Sequence, residues 1–467
     1  MLGLLGTLNM ASGSLAAQQE AMAVAGQNVA NANNTAYARE TVNFQDNPSL
    51  ETPAGEEGTG VTAGSITEVR NALLDSQITA ENSVTGSYTA QQSALQNAEA
   101  YLGEQLTNTS SGTSSPNGLT ADLSNLFDSF SSLSTDPSHQ ATRQTVIQSA
   151  QQLTDQFNSV SSSLSQVQSG LNTSIENDVA SSNQDLNTIA TLNQQIVLAT
   201  AGGGSADQLV DTREQTLEDL ASKANISTST NPDGSVNISI GGVAMVTGGD
   251  AVDSLQTYNA GNGQILVQDQ NGATPLDITG GSIGGNITAR DGALASLQSS
   301  LNTLAGQLIT SVNSVYSQGY DLNGNTGQNL FTGSDASDIG VNSALVSDPS
   351  QFQASGTAGD NGDNTIALSL AQLGSQTQAA LSGQTFSQSY AGTVSDLGDA
   401  ISSATDQLNT SQAVSTTLTN QRSSTSGVSI DQEMTNLLQF QKAYEASAKL
   451  VSTVDAMMET VINMKTA

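Results

Sequence analysis

Residues 428–464 read VSIDQEMTNLLQFQKAYEASAKLVSTVDAMMETVINM, with apolar residues recurring every seven positions along the whole stretch. Residues 1–34, MLGLLGTLNMASGSLAAQQEAMAVAGQNVANANN, show the same period with few charges. A seven-residue apolar period is typical of paired helices, so the two ends predict helices that pack against each other or against neighbouring copies. That arrangement favours an assembly protein over an enzyme. The predicted contact positions are Leu8, Leu15, Met22 and Val29 at one end, and Ile430, Leu437, Phe440, Tyr444, Val451, Val454, Met458 and Val461 at the other.

Composition indicates a polar body between these ends. The 467 residues include 10 Lys and Arg against 43 Asp and Glu, which gives a net charge of −33, and only 36% are hydrophobic and 3% aromatic. Such a negative surface repels nucleic acid and anionic lipid, so neither is expected as a partner. No apolar run approaches the ~18 residues that a membrane helix needs, so no membrane insertion is expected.

The residue inventory argues against catalysis and against bound cofactors. The chain has no cysteine, which excludes disulfides, thiolate metal sites and cysteine nucleophiles. A Ser-His-Asp site would have to use His139, the only histidine, whose position at a predicted helix start favours a surface role. The stretch Asp321–Asn325 resembles a calcium loop only faintly, because the glycine at the sixth position and the glutamate at the twelfth are missing. We therefore predict no enzyme activity, no cofactor and no metal site.

The body alternates between helical and β periods. Apolar residues at steps of three, four and seven predict a helix of about sixty residues from His139 to Ala199, ended by the glycines at 202–204. Val236, Ile238 and Ile240 alternate with polar residues after Asn-Pro-Asp-Gly at 231–234, which predicts a hairpin with half-buried strands.

Shorter segments complete the pattern. Residues 47–64 predict a loop with short extended pieces, followed by a helix over 67–102 that carries Leu73 on its apolar side. A Ser/Gly/Pro loop is predicted at 110–118 and a shorter helix at 119–133.

Together these patterns predict a mainly α, multidomain chain with an inserted small β domain, a long helical rod domain and terminal helices that form a coiled coil. The predicted segments are 1–66 (N-terminal coiled-coil helix and following loop, inner layer), 67–222 (long helical rod domain), 223–290 (inserted β domain), 291–425 (return helices of the rod domain with a Gly/Asn-rich segment) and 426–467 (C-terminal coiled-coil helix, inner layer).

Both ends also carry a family resemblance. Residues 26–39, GQNVANANNTAYAR, resemble the N-terminal signature of bacterial flagellar rod and hook axial proteins, and residues 426–449 resemble the C-terminal signature of the same group. Ala36 stands where that signature has glycine. The matching N-terminal positions are Asn31, Asn33, Thr35, Tyr37 and Arg39.

The interior narrows the resemblance. Residues 318–324, QGYDLNG, are similar to a motif of the hook-associated protein 1 family, carried here by Asp321, Leu322, Asn323 and Gly324. The resemblance implies a non-catalytic structural component of the flagellum at the junction between hook and filament. It further implies copies arranged in a ring, contact with the hook protein and the next hook-associated protein, and an export chaperone at the C-terminal helix. An extracellular location, reached through the flagellar type III apparatus without a cleaved signal peptide, follows from the same resemblance.

Two alternatives stay open at this point. The chain is either another flagellar axial protein, hook-associated protein 3 or a flagellin-like protein, or a secreted surface adhesin or interaction rod. An adhesin does not require matched heptads at both ends, so this alternative leaves the terminal pattern unexplained. Tyr37 and Arg39 are expected to be exposed, and the terminal helices are expected to be largely disordered in a free monomer, because unpaired amphipathic segments lack partners.

Overall fold

The computed structural model describes residues 3–34, 36–52, 55–102, 118–261 and 263–465, and within them the chain is mainly helical. The predicted fold class, a mostly α chain with an inserted β segment, is confirmed. The predicted loop at 110–118 lies, apart from Gly118, outside the described residues. The helices are α1 (Leu4–Ala30), α2 (Ala72–Leu102), α3 (Leu119–Thr135), α4 (Gln140–Ala201), α5 (Asp207–Lys223), α6 (Gly281–Ala289), α7 (Ala295–Tyr316), α8 (Ser343–Ser347), α9 (Thr365–Leu373), α10 (Phe386–Ser426) and α11 (Ile430–Lys465).

The strands form several small antiparallel sheets. β5, β6, β7 and β8 make a four-stranded sheet in chain order, and the others pair two by two: β1 with β4, β2 with β3, β9 with β10, and β11 with β12. The strands are β1 (Glu40–Asp46), β2 (Leu50–Thr52), β3 (Gly55–Glu57), β4 (Val61–Glu68), β5 (Ile226–Thr230), β6 (Val236–Ile240), β7 (Val243–Thr247), β8 (Asp250–Ala251), β9 (Leu255–Gly261), β10 (Gln264–Asp269), β11 (Phe331–Thr332) and β12 (Gly340–Val341).

A β-ribbon follows α1. Strands β1 and β4 pair from Glu40 opposite Glu68 to Asp46 opposite Val61, and β2 and β3 form a smaller hairpin between them. The prediction of a loop with short extended pieces at 47–64 is therefore right for β2 and β3 but wrong for β4, which runs on to Glu68. The same pairing delays α2, which begins at Ala72 rather than at residue 67. The prediction that Leu73 lies on the apolar side of this helix is wrong, because Leu73 is 68% exposed and Leu74 is buried instead.

The rod is built on α4, whose 62 residues span about 90 Å at the helical rise of ~1.5 Å per residue. His139 caps its first turn, because the ring nitrogen Nδ1 accepts a hydrogen bond from the amide of Ala141 at 3.2 Å. Apolar residues at steps of three and four, such as Leu153, Phe157 and Val160, are buried in a core to which α3, α7, α9 and α10 also contribute, and α4 packs directly on α3 and α7. The long helix predicted over 139–199 is thus confirmed within two residues at each end.

The β segment shares its core with helices. Ile238 and Ile240 of β6 are fully buried with Ile175 and Ile189 of α4 and Leu220 of α5. The predicted hairpin at 231–234 is present, with the amide of Asn231 donating to the carbonyl of Ser235 at 2.8 Å. Strands end at Asp269 and α6 begins at Gly281, so the last part of the predicted segment 223–290 is helical.

One close helix crossing lies between α2 and α6. α6 packs against α2 and runs into α7 through one π-helical turn at Arg290–Leu294. At the crossing, a Cβ added to Gly285 would lie 2.2 Å from the carbonyl oxygen of Ser87, a distance that real Cβ atoms do not show. Glycine is required there because the two backbones approach too closely for a side chain.

Replacement of Gly285 by alanine is therefore expected to lower the free energy of unfolding by about 1–3 kcal/mol, as overpacking of a tight contact does. Gly170 in the middle of α4 is the matched control, because a Cβ there meets nothing within 4 Å. Gly170→Ala should raise the stability by about 0.5–1 kcal/mol through helix propensity. Urea denaturation of both variants checks this pair, and equal effects of the two substitutions would contradict it.

Candidate assembly interface

The terminal helices pack antiparallel along one another. The hydroxyl of Ser14 lies 3.4 Å from that of Ser447, and Nε2 of Gln19 donates to the Tyr444 hydroxyl at 3.3 Å. The predicted pairing of the two ends is therefore present within a single copy.

The most deeply buried side chains of α1, which packs against both α11 and the ribbon, are small. Ala11, Ala17, Ala21 and Ala25 are each at most 2% exposed, and Val24 is 5% exposed. The members of the heptad column predicted to make the contact are half-buried. Alanine lets two helices approach closely but buries little area, so this seam is thin. The half-buried column comprises Leu8, Leu15, Met22 and Val29.

On α11 the predicted positions divide into two groups. Val454 is 2% exposed, whereas Ile430 and Val461 are 50% and 56% exposed and touch no core. The remaining predicted positions are half-buried along the α1 side: Leu437, Phe440, Tyr444, Val451 and Met458. Phe440 also meets Phe44 of the ribbon edge to face, with ring centroids 6.3 Å apart.

Much of the apolar surface of α11 has no partner in the described part of this single copy. Eight of the nineteen large apolar side chains that are exposed among the described residues lie on this one helix. We call them the outer stripe of α11. They are Ile430, Met434, Leu438, Leu450, Met457, Val461, Ile462 and Met464. Clustered exposed apolar residues of this kind mark interaction surfaces.

The N-terminal signature forms the link between α1 and the ribbon. Asn28 is 1% exposed; its Oδ1 accepts from the Tyr37 hydroxyl at 2.8 Å and from the Glu40 amide at 3.0 Å, while its Nδ2 donates to the Glu40 carbonyl at 2.9 Å. The expectation that Tyr37 is exposed is wrong, because its ring is 6% exposed and its hydroxyl serves this network. Arg39 is half-buried, and its amide donates to the carbonyl of Ser426 at the end of α10 at 2.8 Å.

The other signature positions are turn residues. The side chain of Asn31 donates to the carbonyl of Gln27 at 3.1 Å at the end of α1, and Asn33 is exposed. Thr35 lies outside the described residues. The amide of Ala36 donates to Oδ1 of Asn34 at 3.2 Å, the pattern of an Asx turn.

Charged side chains from four elements meet behind this link, in a group that we call the joint cluster: Glu40, Glu68, Arg70, Asp75 and Asp211. Arg70 bonds to Glu68 at 3.0 Å, to Asp75 at 3.3 Å and to Asp211, which also accepts from the amide of Ala38 at 3.3 Å. A cavity of about 310 Å³ lies beside the cluster and reaches Glu218 and Arg422, which form a further ion pair. The cluster fixes where the ribbon, α2 and α5 join.

Burial dominates the electrostatics of the joint cluster. It raises the pKa of Glu40 to about 7, and the carboxylates of Asp207 and Asp211 raise that pKa further. Burial likewise raises the pKa of Glu68 to about 7 although Arg70 opposes the change, and it raises the pKa of Asp211 to about 6 against the same guanidinium. Removing a carboxylate from water disfavours its charged form, and the neighbouring acids add to that cost.

Sequence reasoning did not single out Asn28, Glu40, Arg70 or Asp211. Their longest contacts join residues 141 and 173 positions apart, which no local period reports. The available signal was the scarcity of cations, since ten Lys and Arg residues stand against 43 Asp and Glu residues.

The interior motif is a turn. Asp321 is 1% exposed, and its carboxylate accepts from the amides of Asn323 and Asn325 at 2.8 Å each and from the Asn325 side chain at 2.9 Å. Leu322 donates its amide to the carbonyl of Ser350, and Gly324 adopts a φ of 83° that suits glycine. The motif thus ties the end of α7 to the segment before α9, away from the terminal helices.

Two further findings concern only the described residues. No group of three or more His, Asp or Glu side chains there is arranged to hold a metal ion. None of the helices described is long and apolar enough to cross a membrane.

Comparison with known proteins gives two family matches and several relatives. The family described as "Flagellar hook-associated protein FlgK helical domain" matches residues 103–331, and the one described as "Flagellar basal body rod FlgEFG protein C-terminal" matches residues 419–464. The chain is 27% identical to flagellar hook-associated protein 1 of Bacillus subtilis (strain 168), an alignment that covers 98% of this chain and 97% of the relative. It is 24% identical to flagellar hook-associated protein 1 of Escherichia coli (strain K12), covering 98% and 99% of the two chains.

A solved structure supports the fold. The flagellar hook junction protein FlgK from Burkholderia pseudomallei superposes with a TM-score of 0.64 at 16% identity, covering 75% of this chain and all of that one.

The Asn28 network gives a testable prediction for the link. Asn28→Ala removes three hydrogen bonds and leaves the Tyr37 hydroxyl and both backbone groups of Glu40 without their partner, so it should cost about 2 kcal/mol or more. Asn33→Ala, at an exposed signature position, should change stability by less than about 0.5 kcal/mol. The free energy of unfolding in urea measures both, and a silent Asn28→Ala would show that the network does not hold the link.

Proposed function

We infer that this chain, which belongs to the flagellar hook-associated protein 1 family, is a structural component of the bacterial flagellum that forms the junction between hook and filament. The observation that carries this inference is the outer stripe of α11, a set of eight exposed apolar side chains on a terminal helix of an otherwise polar chain. A surface of that kind suits a subunit whose partners are other axial subunits.

The distribution of charge along the chain also favours assembly through the terminal helices. Residues 1–34 contain Glu20 as their only charged side chain, and residues 430–465 contain three Lys against five Asp and Glu, so the two ends carry −1 and −2. The remaining chain therefore carries −33 + 3 = −30. Copies of so acidic a body repel each other, whereas the nearly neutral terminal helices approach without that cost. Axial self-assembly through the terminal helices follows from this segregation.

We propose that copies form a ring, with the α1–α11 pair of each copy in an inner layer. The thin seam within one copy leaves the outer stripe of α11 and the half-buried column of α1 available to neighbouring copies, which would extend the pair into a coiled coil. Each large apolar residue that becomes fully buried contributes roughly 1.5–3 kcal/mol. The rod helices would form the next layer, and the β segment would lie outside it.

The partners above and below the ring follow from the junction role. We propose the hook protein on one side and the next hook-associated protein on the other. Before assembly, an export chaperone would cover the outer stripe of α11, since an exposed apolar helix face promotes aggregation.

Export is proposed to proceed through the flagellar type III apparatus without removal of an N-terminal signal, so that the protein reaches the extracellular flagellum. The mass of the protein recovered from detached filaments checks this directly. A full-length mass is expected, and a product shortened at the N-terminus would contradict uncleaved export.

A structural role without catalysis is part of the proposal. His139 caps α4 through Nδ1, which accounts for the residue without chemistry. A hydrolase activity that His139→Ala abolishes would overturn this part.

The outer stripe can be tested separately from the fold. Leu438→Gln with Val461→Gln removes two large exposed apolar side chains from α11, at 58% and 56% exposure, so the melting temperature should stay within about 2 °C. The variant should nevertheless fail to support filaments, because the lost apolar contacts weaken every copy-to-copy interface. Leu198→Gln is the matched control, since Leu198 is 73% exposed on α4 and outside the terminal helices. Motility and filament counts after complementation are the readout.

Deletion of the gene in its host tests the junction role itself. We expect intact hooks without filaments and loss of filament protein to the medium. Normal filaments in a strain with no second copy of the gene would overturn the inference. Complementation by Leu438→Gln/Val461→Gln at the level of the unaltered chain would leave the junction role standing but refute the assignment of the outer stripe.

The thin seam predicts weak order of the termini before assembly. In a dilute monomer, amides of α1 and α11 should exchange with solvent at least about 100-fold faster than those of α4 beside Phe157, because the seam buries mainly alanine. Hydrogen exchange followed by mass spectrometry measures both regions in one sample. Terminal amides as protected as the rod would contradict the expectation that these helices depend on neighbouring copies.

A further inference from the structure

The joint cluster holds more buried carboxylates than cations. The pairing of β1 with β4 places Glu40 directly opposite Glu68, and like charges that face each other across an antiparallel pair are destabilising. Glu40 is 6% exposed and has only the Gln27 side chain as a hydrogen-bond donor to its carboxylate, at 3.4 Å. Asp211 on α5 is 7% exposed and faces the same space. The base of the ribbon therefore closes most favourably when some of these acids are neutral.

We propose that the joint cluster is a proton-controlled latch: protonated Glu40 and Glu68 hold the ribbon and the terminal helices against α5 of the rod, and ionisation of the two side chains loosens that attachment. The latch is a property of this chain beyond its place in the flagellum, and it requires no ligand other than protons.

The geometry shows why Glu40 and Glu68 are the titrating members. Arg70 is the cation bonded within the cluster, and it is already shared among Glu68, Asp75 and Asp211. Glu40 receives no share of it, and Oε1 of Glu68 is buried without a hydrogen-bond partner. A proton on either carboxyl removes a buried negative charge at the point where four elements meet.

The charged groups around Glu40 are acidic. β4 places Glu68 opposite it, and the carboxylates of Asp207 and Asp211 on α5 raise its pKa. α1 contributes the neutral side chains of Gln27 and Asn28.

The cations nearby lie on the Glu68 side of the cluster. Arg70 bonds to Glu68, and Arg213 of α5 also interacts electrostatically with Glu68 while it bonds to Glu214 and to the carbonyl of Gly234. Arg422 of α10 bonds to Glu218.

The direction of the pH dependence follows from the raised pKa values. Glu40 and Glu68 have folded-state pKa values near 7 against an ordinary 4.5, so the stability that they contribute as neutral groups is fully present below pH 4.5. That contribution is lost as the pH rises through 7. The attachment of the ribbon is therefore tighter in a mildly acidic medium than in a mildly alkaline one. The cavity beside the cluster gives water and protons access to it.

Hydrogen exchange of the full-length chain tests the latch. After correction for the intrinsic pH dependence of exchange, protection of the amides of Glu40, Val69 and Ala38 should fall about tenfold or more between pH 6 and pH 8.5. Amides of α4 beside Val160 in the rod core should keep their protection over the same range. This internal reference separates opening of the joint from unfolding of the whole chain.

Matched variants test whether Glu40 and Glu68 cause the pH dependence. Glu40→Gln with Glu68→Gln copies the neutral state and should hold protection at the base of the ribbon constant within about threefold from pH 6 to pH 8.5. Glu176→Gln, at an exposed position of α4, should keep the full pH response. If the double variant folds poorly, single Glu40→Gln should reduce the response and leave only the part that Glu68 contributes. A pH-independent joint in the unaltered chain, or a response that stays undiminished in Glu40→Gln, would overturn the proposal.

Discussion

One guanidinium holds the terminal elements to the rod. Arg70 stands between the ribbon and α2 and bonds to a carboxylate on the ribbon, one on the first turn of α2 and one on α5. A buried guanidinium needs such partners, and its rigid planar donors fix their directions, so the three bonds set the angle at which the ribbon leaves the rod. The position of α1 then depends on that angle through the Asn28 network. The excess of acid around Arg70 makes the same point sensitive to protons.

The rod and the termini are stabilised by different means. The rod buries aromatic and branched residues such as Phe157 and Tyr316 completely, so it has a core of its own. The α1–α11 pair buries chiefly alanine and leaves much of α11 exposed. Such a helix pair gains most of its stability from contacts outside the single copy. The two regions therefore suit two tasks, a stable body and an interface that is completed only on assembly.

The sequence predicted those structural features that are determined by residues close together along the chain. The periods of α4 and β6 and the hairpin turn at 231–234 were readable because each is determined within a few residues. The ribbon was missed because β1 and β4 have polar faces, and a strand of that kind is defined by its partner twenty residues away. The burial of Tyr37 and the whole joint cluster were missed for the same reason, since their contacts are made by distant segments.

In the ring proposed above, charge also favours one order of layers. At physiological ionic strength the screening length is about 8 Å, so acidic bodies repel strongly only where they touch or nearly touch. The terminal helices carry −3 in total and the rest −30, so close packing is least costly at the termini. Neighbouring copies can bury the outer stripe of α11 while their bodies stay further apart. A ring built this way has its tightest contacts on the inside and its acidic surface outside, because the reverse order would bring the repelling bodies into contact.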